Sequence, residues 1–486
     1  MSSLGQQARK GLVWTLFESF FTKSFTFVTA ILLTRILSPE EFGLIGLIMI
    51  FIAIGNALVE GGLGNSLIRD NESGPEDYST VFYTNMLISV AVYAVLFFTA
   101  PLIANYFERE VLIDIIRVYG LILVITAFSS VKKSILMKEL AFKKLTLVSM
   151  PGVFTGSATG LIMAYQGYGA WSLVFLHLVT QATTAVFIWS KTDWTPRWVF
   201  SRNRIIYHWN FGYKLMLSSV LNALFTEIYS VVIGKRFSVV SLGHYNRAKT
   251  YNLYPVDLLS QVVSKVSYPL LSKMKEDKEK VSALYKSILR SIFFIVAPLM
   301  LTLGVVAEPL FLFLFSEKWL PAVPYFQILT FSSILLPVHS FNLNVFKVFD
   351  RTDLYLKVAL IKKVLIVVVV ALGLAFGIYE LLIGMVVASY IALIINTWYA
   401  EKLINYKTLH QLRDMAPTFV TAGMAAAGGW FALPLLSAQP ALIQVIIVAP
   451  AVLLVYMLLN LLIRNRAWFE VKSYAQGMLA NRKSLL

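Results

Sequence analysis

The chain has no cysteine. That excludes disulfides, thiolate nucleophiles and cysteine-bound metals. Histidine is scarce, and the five present, His177, His208, His244, His339 and His410, show no metal-ligand spacing; His244 and His339 remain weak candidates for proton coupling. Charge is also scarce. Asp, Glu, Lys and Arg make up 14% of residues, against roughly a quarter in soluble domains. Acids are the scarcer sign, 26 against 42 Lys and Arg. The bases are not gathered into one patch, so nucleic acid is not implied. No G-x-x-x-x-G-K-[ST] occurs, so no ATP-binding loop of that kind is available.

Apolar residues fill the space: 58% of the chain, with mean hydropathy +0.72. This composition describes an all-α polytopic membrane protein. Runs of about 17–25 apolar residues each make one span. Fourteen are expected, over 11–37, 42–68, 80–104, 111–131, 145–164, 169–190, 212–234, 240–271, 287–314, 323–346, 357–377, 379–400, 414–436 and 441–463. The first run follows a short basic tail. It is much longer than a signal-peptide core and has no small-residue cleavage site, so it counts as helix 1. Helix 8 (240–271) is the least hydrophobic.

Lys and Arg orient the spans. One set of loops, including both ends of the chain, carries 29 of them; the opposite turns carry four, Arg109, Lys235, Arg236 and Lys318. The expectation is a bacterial cytoplasmic (inner) membrane protein with both termini in the cytoplasm. The basic loops themselves suit topology and contact with membrane lipids. Loops on both sides are too short for a soluble catalytic domain.

Several charges fall inside spans, where they are costly. At 1.5 Å per residue Lys23 lies about 18 Å along its helix, too deep to snorkel, whereas Arg290 and Lys362 could reach a headgroup region. Lys23, Arg117, Arg247, Lys249 and Lys265 are the candidate bases of a polar cavity. Glu18, Glu60, Glu227 and Asp257 are the candidate cavity acids or ion-coupling groups. The competing reading is a structural pair, such as Lys23 with Glu18 or Glu60. Thr15, Glu18, Ser19, Thr22, Lys23 and Thr26 form a stripe at helical spacing, which places that face against protein or water. Trp14, Trp171, Trp319 and Trp398, near span ends, read as interfacial anchors, with sugar stacking as the alternative.

Gly11 to Arg35 and Gly212 to Arg236 align without gaps. "APLIANYF" resembles "AEPLFLFLF", and "GLIMAYQGY" resembles "GLAFGIY", in the same order. Helices 1–6 and 7–12 thus read as two parallel six-helix repeats, the lobes of a V, followed by two C-terminal helices. The expected divisions are 1–190 for the first lobe, 191–211 for a cytoplasmic linker, 212–402 for the second lobe and 403–486 for helices 13–14 with a basic tail.

The stretch "LLTRILSPEEFGLIGLIMIFIAIGNALVEGGLGNSLIR", with "ILMKELAFKKL", "GYGAWSLV" and "SEKWLPAVPYFQIL", resembles the bacterial polysaccharide transporter family. That family lies within the multidrug/oligosaccharidyl-lipid/polysaccharide exporter superfamily, and the likeness is to its colanic acid and teichuronic acid exporters. It covers most of residues 1–400. The resemblance implies a flippase for undecaprenyl-diphosphate-linked oligosaccharide, working by alternating access. Lipid II flippases, more distant, have a basic residue in helix 1 where Lys23 stands, an acid–glycine pair matched by Glu60–Gly61, and a helix 8 arginine ahead of a proline, matched by Arg247 and Pro255. Their arginine pair before the helix 2 acid is absent; Gly55 and Asn56 fall there.

The resemblance implies a transporter rather than an enzyme, with no cofactor beyond a coupling proton or sodium ion. Its partners would be the lipid-linked glycan, membrane lipids and downstream polysaccharide assembly proteins. A multidrug cation antiporter would need an acidic cavity, whereas the embedded residues lean basic. A membrane polymerase or ligase would need large extracytoplasmic loops. A non-transporting scaffold is the remaining alternative.

Overall fold

Residues 22–60 and 62–483 are described by a computed structural model, and every regular element among them is helical. Contacts divide the chain into two units, Met1–Gly243 and His244–Leu486. The first unit holds α1 (22–36), α2 (Pro39–Glu60), α3 (Leu63–Arg69), α4 (Pro75–Phe107), α5 (Leu112–Lys138), α6 (Phe142–Tyr165), α7 (Trp171–Lys191) and α8 (Arg202–Arg236). Helix α9 (Val239–Lys273) opens at the end of that unit. The second unit continues with α10 (Lys278–Val305), α11 (Ala307–Leu314), a 3₁₀ turn (Glu317–Ala322), α12 (Val323–Ser333), α13 (Leu336–Val348), α14 (Thr352–Phe376), α15 (Ile378–Ile404), α16 (Thr408–Ala432), α17 (Ala441–Leu462) and α18 (Arg466–Lys483).

Twelve segments among the described residues are long and apolar enough to cross a membrane, and each matches one of the expected spans. The other two expected spans are helix 1, whose residues 11–21 lie outside the described set, and helix 8. The latter is a continuous helix, α9, whose charges keep its hydropathy low. Inner and outer helices differ in burial. The most apolar window of Lys278–Val305 is 61% buried and that of Pro39–Arg69 is 56% buried, against 17% for Pro75–Phe107 and for Ala441–Leu462. The outer helices expose large apolar side chains such as Phe98 and Leu102, as lipid contact requires.

Two boundaries differ from expectation for local reasons. The segment expected as a linker over 191–211 is helical from Arg202 onward. Ser201 caps the helix, its Oγ accepting from the Arg204 N–H at 3.5 Å, and the first turns are held by Asp70 and Asp77. Helix α8 therefore runs 35 residues. Expected to open the second lobe, it packs instead within the first unit, against α2, α3 and α4. The two long expected spans 42–68 and 323–346 are each interrupted. The first breaks ahead of α3, where Gly62 adopts φ +144°, a conformation closed to most side chains. The second breaks at Ile334–Leu335, just ahead of Pro337.

Small residues set how closely helices approach. In α6 the run "GVFTGSATG" places Gly152, Gly156 and Gly160 on one face. A Cβ on any of them would collide with Leu176, Thr180 or Thr184 of α7. The α7 hydroxyls donate to their own helix, Thr180 to Leu176 O at 2.7 Å and Thr184 to Thr180 O at 2.8 Å, so the close seam leaves neither of those hydroxyls unpaired. Close backbone approach is the usual driver of helix association in lipid, where the hydrophobic effect is missing.

Pro101 lies inside α4 and has no N–H to give the Phe97 carbonyl one turn earlier. Arg117 of α5 supplies the donor: its Nε–H reaches Phe97 O at 3.4 Å, with the guanidinium 4.5 Å from the Phe97 ring centroid. One of the candidate cavity bases thus has a structural task.

Two outcomes check these readings. Arg117→Leu should cost about 1–3 kcal/mol by orphaning a carbonyl, seen as a lower melting temperature in detergent. Adding Pro101→Ala should recover most of the loss, because an alanine N–H can reach Phe97 O; a double variant as unstable as the single one would rule the repair out. Gly156→Leu should lower the melting temperature by overpacking, at about 1–3 kcal/mol or more. Gly423→Ala, whose Cβ would meet nothing within 4 Å, should leave it unchanged or raise it. Equal melting of Gly156→Leu and the parent would contradict the glycine seam.

Candidate functional site

Helix α9 carries a polar band, "HYNRAKTYNLYPVD", over residues 244–257. Its inner side is anchored. Asn252 donates to Phe326 O and to Thr330 Oγ1, each at 3.0 Å, and Tyr251 stacks on Phe315 at 4.3 Å. Alongside these anchors, Arg247, Lys249 and Tyr254 are half-buried. The Arg247 guanidinium lies 5.9 Å from the Tyr251 ring centroid and the Lys249 ammonium 5.8 Å from that of Tyr245. Cations spaced among tyrosines and amides on one membrane helix can hold an anionic, hydroxyl-rich group: guanidinium and ammonium pair with phosphate oxygens, and rings and amides meet sugar faces and hydroxyls. Asp257 is exposed on the same helix. Lys265 lies further along it, with its side chain outside the described set.

The remaining expected residues sit in the first unit. Lys23 is half-buried on α1, Glu60 is exposed as the last residue of α2, and Glu227 is half-buried on α8, where it accepts from Ser230 Oγ at 3.2 Å. Glu18 lies outside the described residues, as does the stripe as far as Ser19. The ion pairs of the described residues include neither Lys23, Glu60 nor Glu227. Arg117 is engaged by Phe97.

Three other sequence expectations change. Trp319, expected as an interfacial anchor, is fully buried, with its ring edge-on to His244 at 5.7 Å. The 3₁₀ turn that carries it folds into the core. Trp398 does fit an anchor: it is 47% exposed, with the Lys402 ammonium 4.0 Å from its ring centroid. Arg290, expected to snorkel, is instead paired with Asp414 at 2.6 Å and Glu470 at 3.1 Å; Tyr406 also donates to Asp414. His339 is satisfied by neighbours, with Nε2 3.2 Å from Ser389 Oγ and Nδ1 2.9 Å from Asn396 Nδ2.

The most developed polar cluster was not visible in the sequence. On the side of the basic loops, the Asp77 carboxylate accepts from the Gly74 N–H at 3.0 Å, from His208 Nε2 at 2.9 Å and from Arg204 Nε. Arg204 also reaches Asp70 at 3.0 Å, and His208 Nδ1 accepts from Ser66 Oγ at 2.8 Å. Lys138 donates to the Asp70 and Ser73 carbonyls at 2.7 and 3.1 Å. Burial works against the Asp70 charge, but hydrogen bonds from Ser73 and the Glu72 N–H, with the Arg204 charge, outweigh it and hold the carboxyl below its ordinary pKa. Asp70, Asp77 and His208 have the geometry of a metal-ligand group, but the Arg204 guanidinium already supplies the cation. The signal available in the sequence was Arg204 and His208, four apart, but it required recognising their segment as a helix.

The profile of a family described as polysaccharide biosynthesis protein matches residues 32–324. The succinoglycan biosynthesis transport protein ExoT of Rhizobium meliloti (strain 1021) is 26% identical over 329 residues, covering 68% of this chain and 67% of that protein. The lipopolysaccharide biosynthesis protein WzxC of Escherichia coli (strain K12) is 23% identical over 397 residues, 81% of this chain and 80% of that protein. Among solved structures, lipid II flippase MurJ in an inward closed conformation superposes with TM-score 0.73 at 17% identity, covering 93% of this chain and 99% of that one. An inward-facing multidrug resistance MATE family transporter of the MOP superfamily gives TM-score 0.64, also at 17% identity, over 79% of this chain and 94% of that one. These structural likenesses establish the fold, and the profile match over more than half of the chain establishes the family: the protein belongs to the polysaccharide biosynthesis protein family.

Proposed function

We propose that the protein is a flippase that moves an undecaprenyl-diphosphate-linked oligosaccharide from the cytoplasmic to the outer leaflet of the bacterial inner membrane. It is a secondary-type transporter, not an enzyme. The observation that carries this reading is the half-buried set of Arg247, Lys249 and Tyr254 on α9. Ionisable residues within membrane helices mark substrate and ion pathways, which supports a polar cargo here. Lys23 and Arg247 are assigned to the diphosphate, the half-buried Tyr254 and Asn246 to the glycan, and the lipid tail stays in hydrocarbon. Two six-helix repeats would alternate access to this site. The 29 Lys and Arg of the basic side support an orientation with that side and both termini in the cytoplasm. Glu60 or Glu227 is assigned the coupling proton or sodium ion, and downstream polysaccharide assembly proteins would receive the product. A multidrug cation exporter shares the fold but not the basic character of the band.

The test uses proteoliposomes holding a fluorescent undecaprenyl-diphosphate oligosaccharide and reads its arrival in the opposite leaflet. Losing one charged contact from a desolvated site costs about 2–5 kcal/mol, so Lys23→Gln and Arg247→Gln should slow transfer at least about thirtyfold, with Lys23→Arg much milder. Glu60→Gln or Glu227→Gln should remove any response to an imposed proton or sodium gradient. Near-parental transfer by both lysine and arginine variants would defeat the diphosphate assignment. For the topology, cysteines introduced at Ser3 and Ser484 should resist an impermeant thiol reagent in intact cells; labelling of either would reverse the orientation.

A further inference from the structure

The two ends of α8 are held to the first unit by different physics. Toward its C-terminal end the contact is close apolar packing: a Cβ on Gly234 would strike Leu47 of α2, and one on Gly43 of α2 would strike the Val239 backbone. The ion pair there, Lys235 with Glu108, has an 81% exposed carboxylate, and such surface pairs contribute little. At the N-terminal end, on the basic side, the contact depends on charge that is buried on the acid side, with the Arg204 side chain 32% exposed. His208 is fully buried, Asp77 is 7% exposed and Asp70 11%. Arg204 joins the two acids, and Asp77 takes donors from α8 and from its own helix start. Beneath the cluster, Gly62 and Gly212 bring the backbones into contact. The seam is narrow: the void lined by Val59, Gly62, Trp209 and Gly212 holds only about 10 Å³, room for about one water.

We propose that Asp70, Asp77, Arg204 and His208 form a latch that keeps the basic-side end of α8 on α3 and α4, and that α8 swings off this seam during transport while its apolar end stays packed. Arg204 and Asp77 are positioning residues in this account. They touch no cargo; they set whether the seam beside Val59 is shut. Burying an ion pair yields small net stability, because desolvation offsets the attraction, while deleting one partner strands the other. Such a contact is therefore cheap to open as a unit and strongly biased by a single substitution, which suits a reversible closure better than a permanent joint. The latch rests on the flippase reading for its purpose, though its geometry stands without it.

The cysteine-free chain provides a direct test. Val59, 1% exposed, is replaced by cysteine, and the rate of N-ethylmaleimide labelling is measured in proteoliposomes without substrate. Ile233→Cys, fully buried on the opposite end of α8, is the control. Val59→Cys alone should label slowly. Arg204→Gln or Asp77→Asn should raise its rate at least tenfold with little change at Ile233→Cys, and Asp77→Glu should return it near the slow rate. Unchanged labelling at Val59→Cys, or an equal rise at both sites, would overturn the latch; the second result would mean general loosening. Normal labelling behaviour in a protein that fails to move lipid-linked glycan would instead overturn the transport reading and leave the latch standing.

Discussion

A polar group inside hydrocarbon has to find its partner in the protein, because there is no water to supply one. Most of this structure follows from that constraint. Pro101 leaves the Phe97 carbonyl without its helical donor, and Arg117 crosses from the next helix to supply it. Lys132, 1% exposed, gives its ammonium to the Thr192 and Trp189 carbonyls at 3.0 and 3.4 Å. It thereby closes the C-terminal end of α7, where a cation is favoured by the helix dipole. Arg290 is enclosed by Asp414 and Glu470. In each case the protein itself answers the charge.

Against that background the α9 band has a different character. Asn252 and Tyr251 fix the helix from within, while Arg247 and Lys249 stay half-buried beside tyrosine rings. Two embedded cations two residues apart on one helix are a concentration of charge that few other helices of the described residues carry. The glycine seams contribute in another way. They bring α6 close against α7, and the Gly62 backbone ahead of α3 against Gly212 of α8.

The spans were legible because they depend on hydropathy averaged over a window of many residues. Twelve of the fourteen expected spans reappear at nearly their expected positions. Features that depend on one tertiary contact were not legible. Residues 202–211 are polar enough to read as linker, and only Asp70 and Asp77, more than a hundred residues away, show why they form the start of α8. Trp319 and Trp398 look alike in sequence, yet one is buried in the core and the other is half-exposed. Arg117 looked like a cavity base because the carbonyl it serves is defined by a proline on a different helix. Among the candidate site residues, Arg247 and Lys249 fall together on one helical band, whereas Glu60 stands at an exposed helix end.

The claim on which the account depends is that the cargo is a glycan joined to a polyprenyl diphosphate. Its most direct measurement is mass spectrometry of lipid extracts from cells lacking this protein, compared with cells in which it has been restored. The account predicts that a diphosphate-linked oligosaccharide accumulates in the deleted cells while surface polymer falls, and that restoring the protein reverses both. Undiminished polymer with no such lipid-linked intermediate accumulating would contradict it.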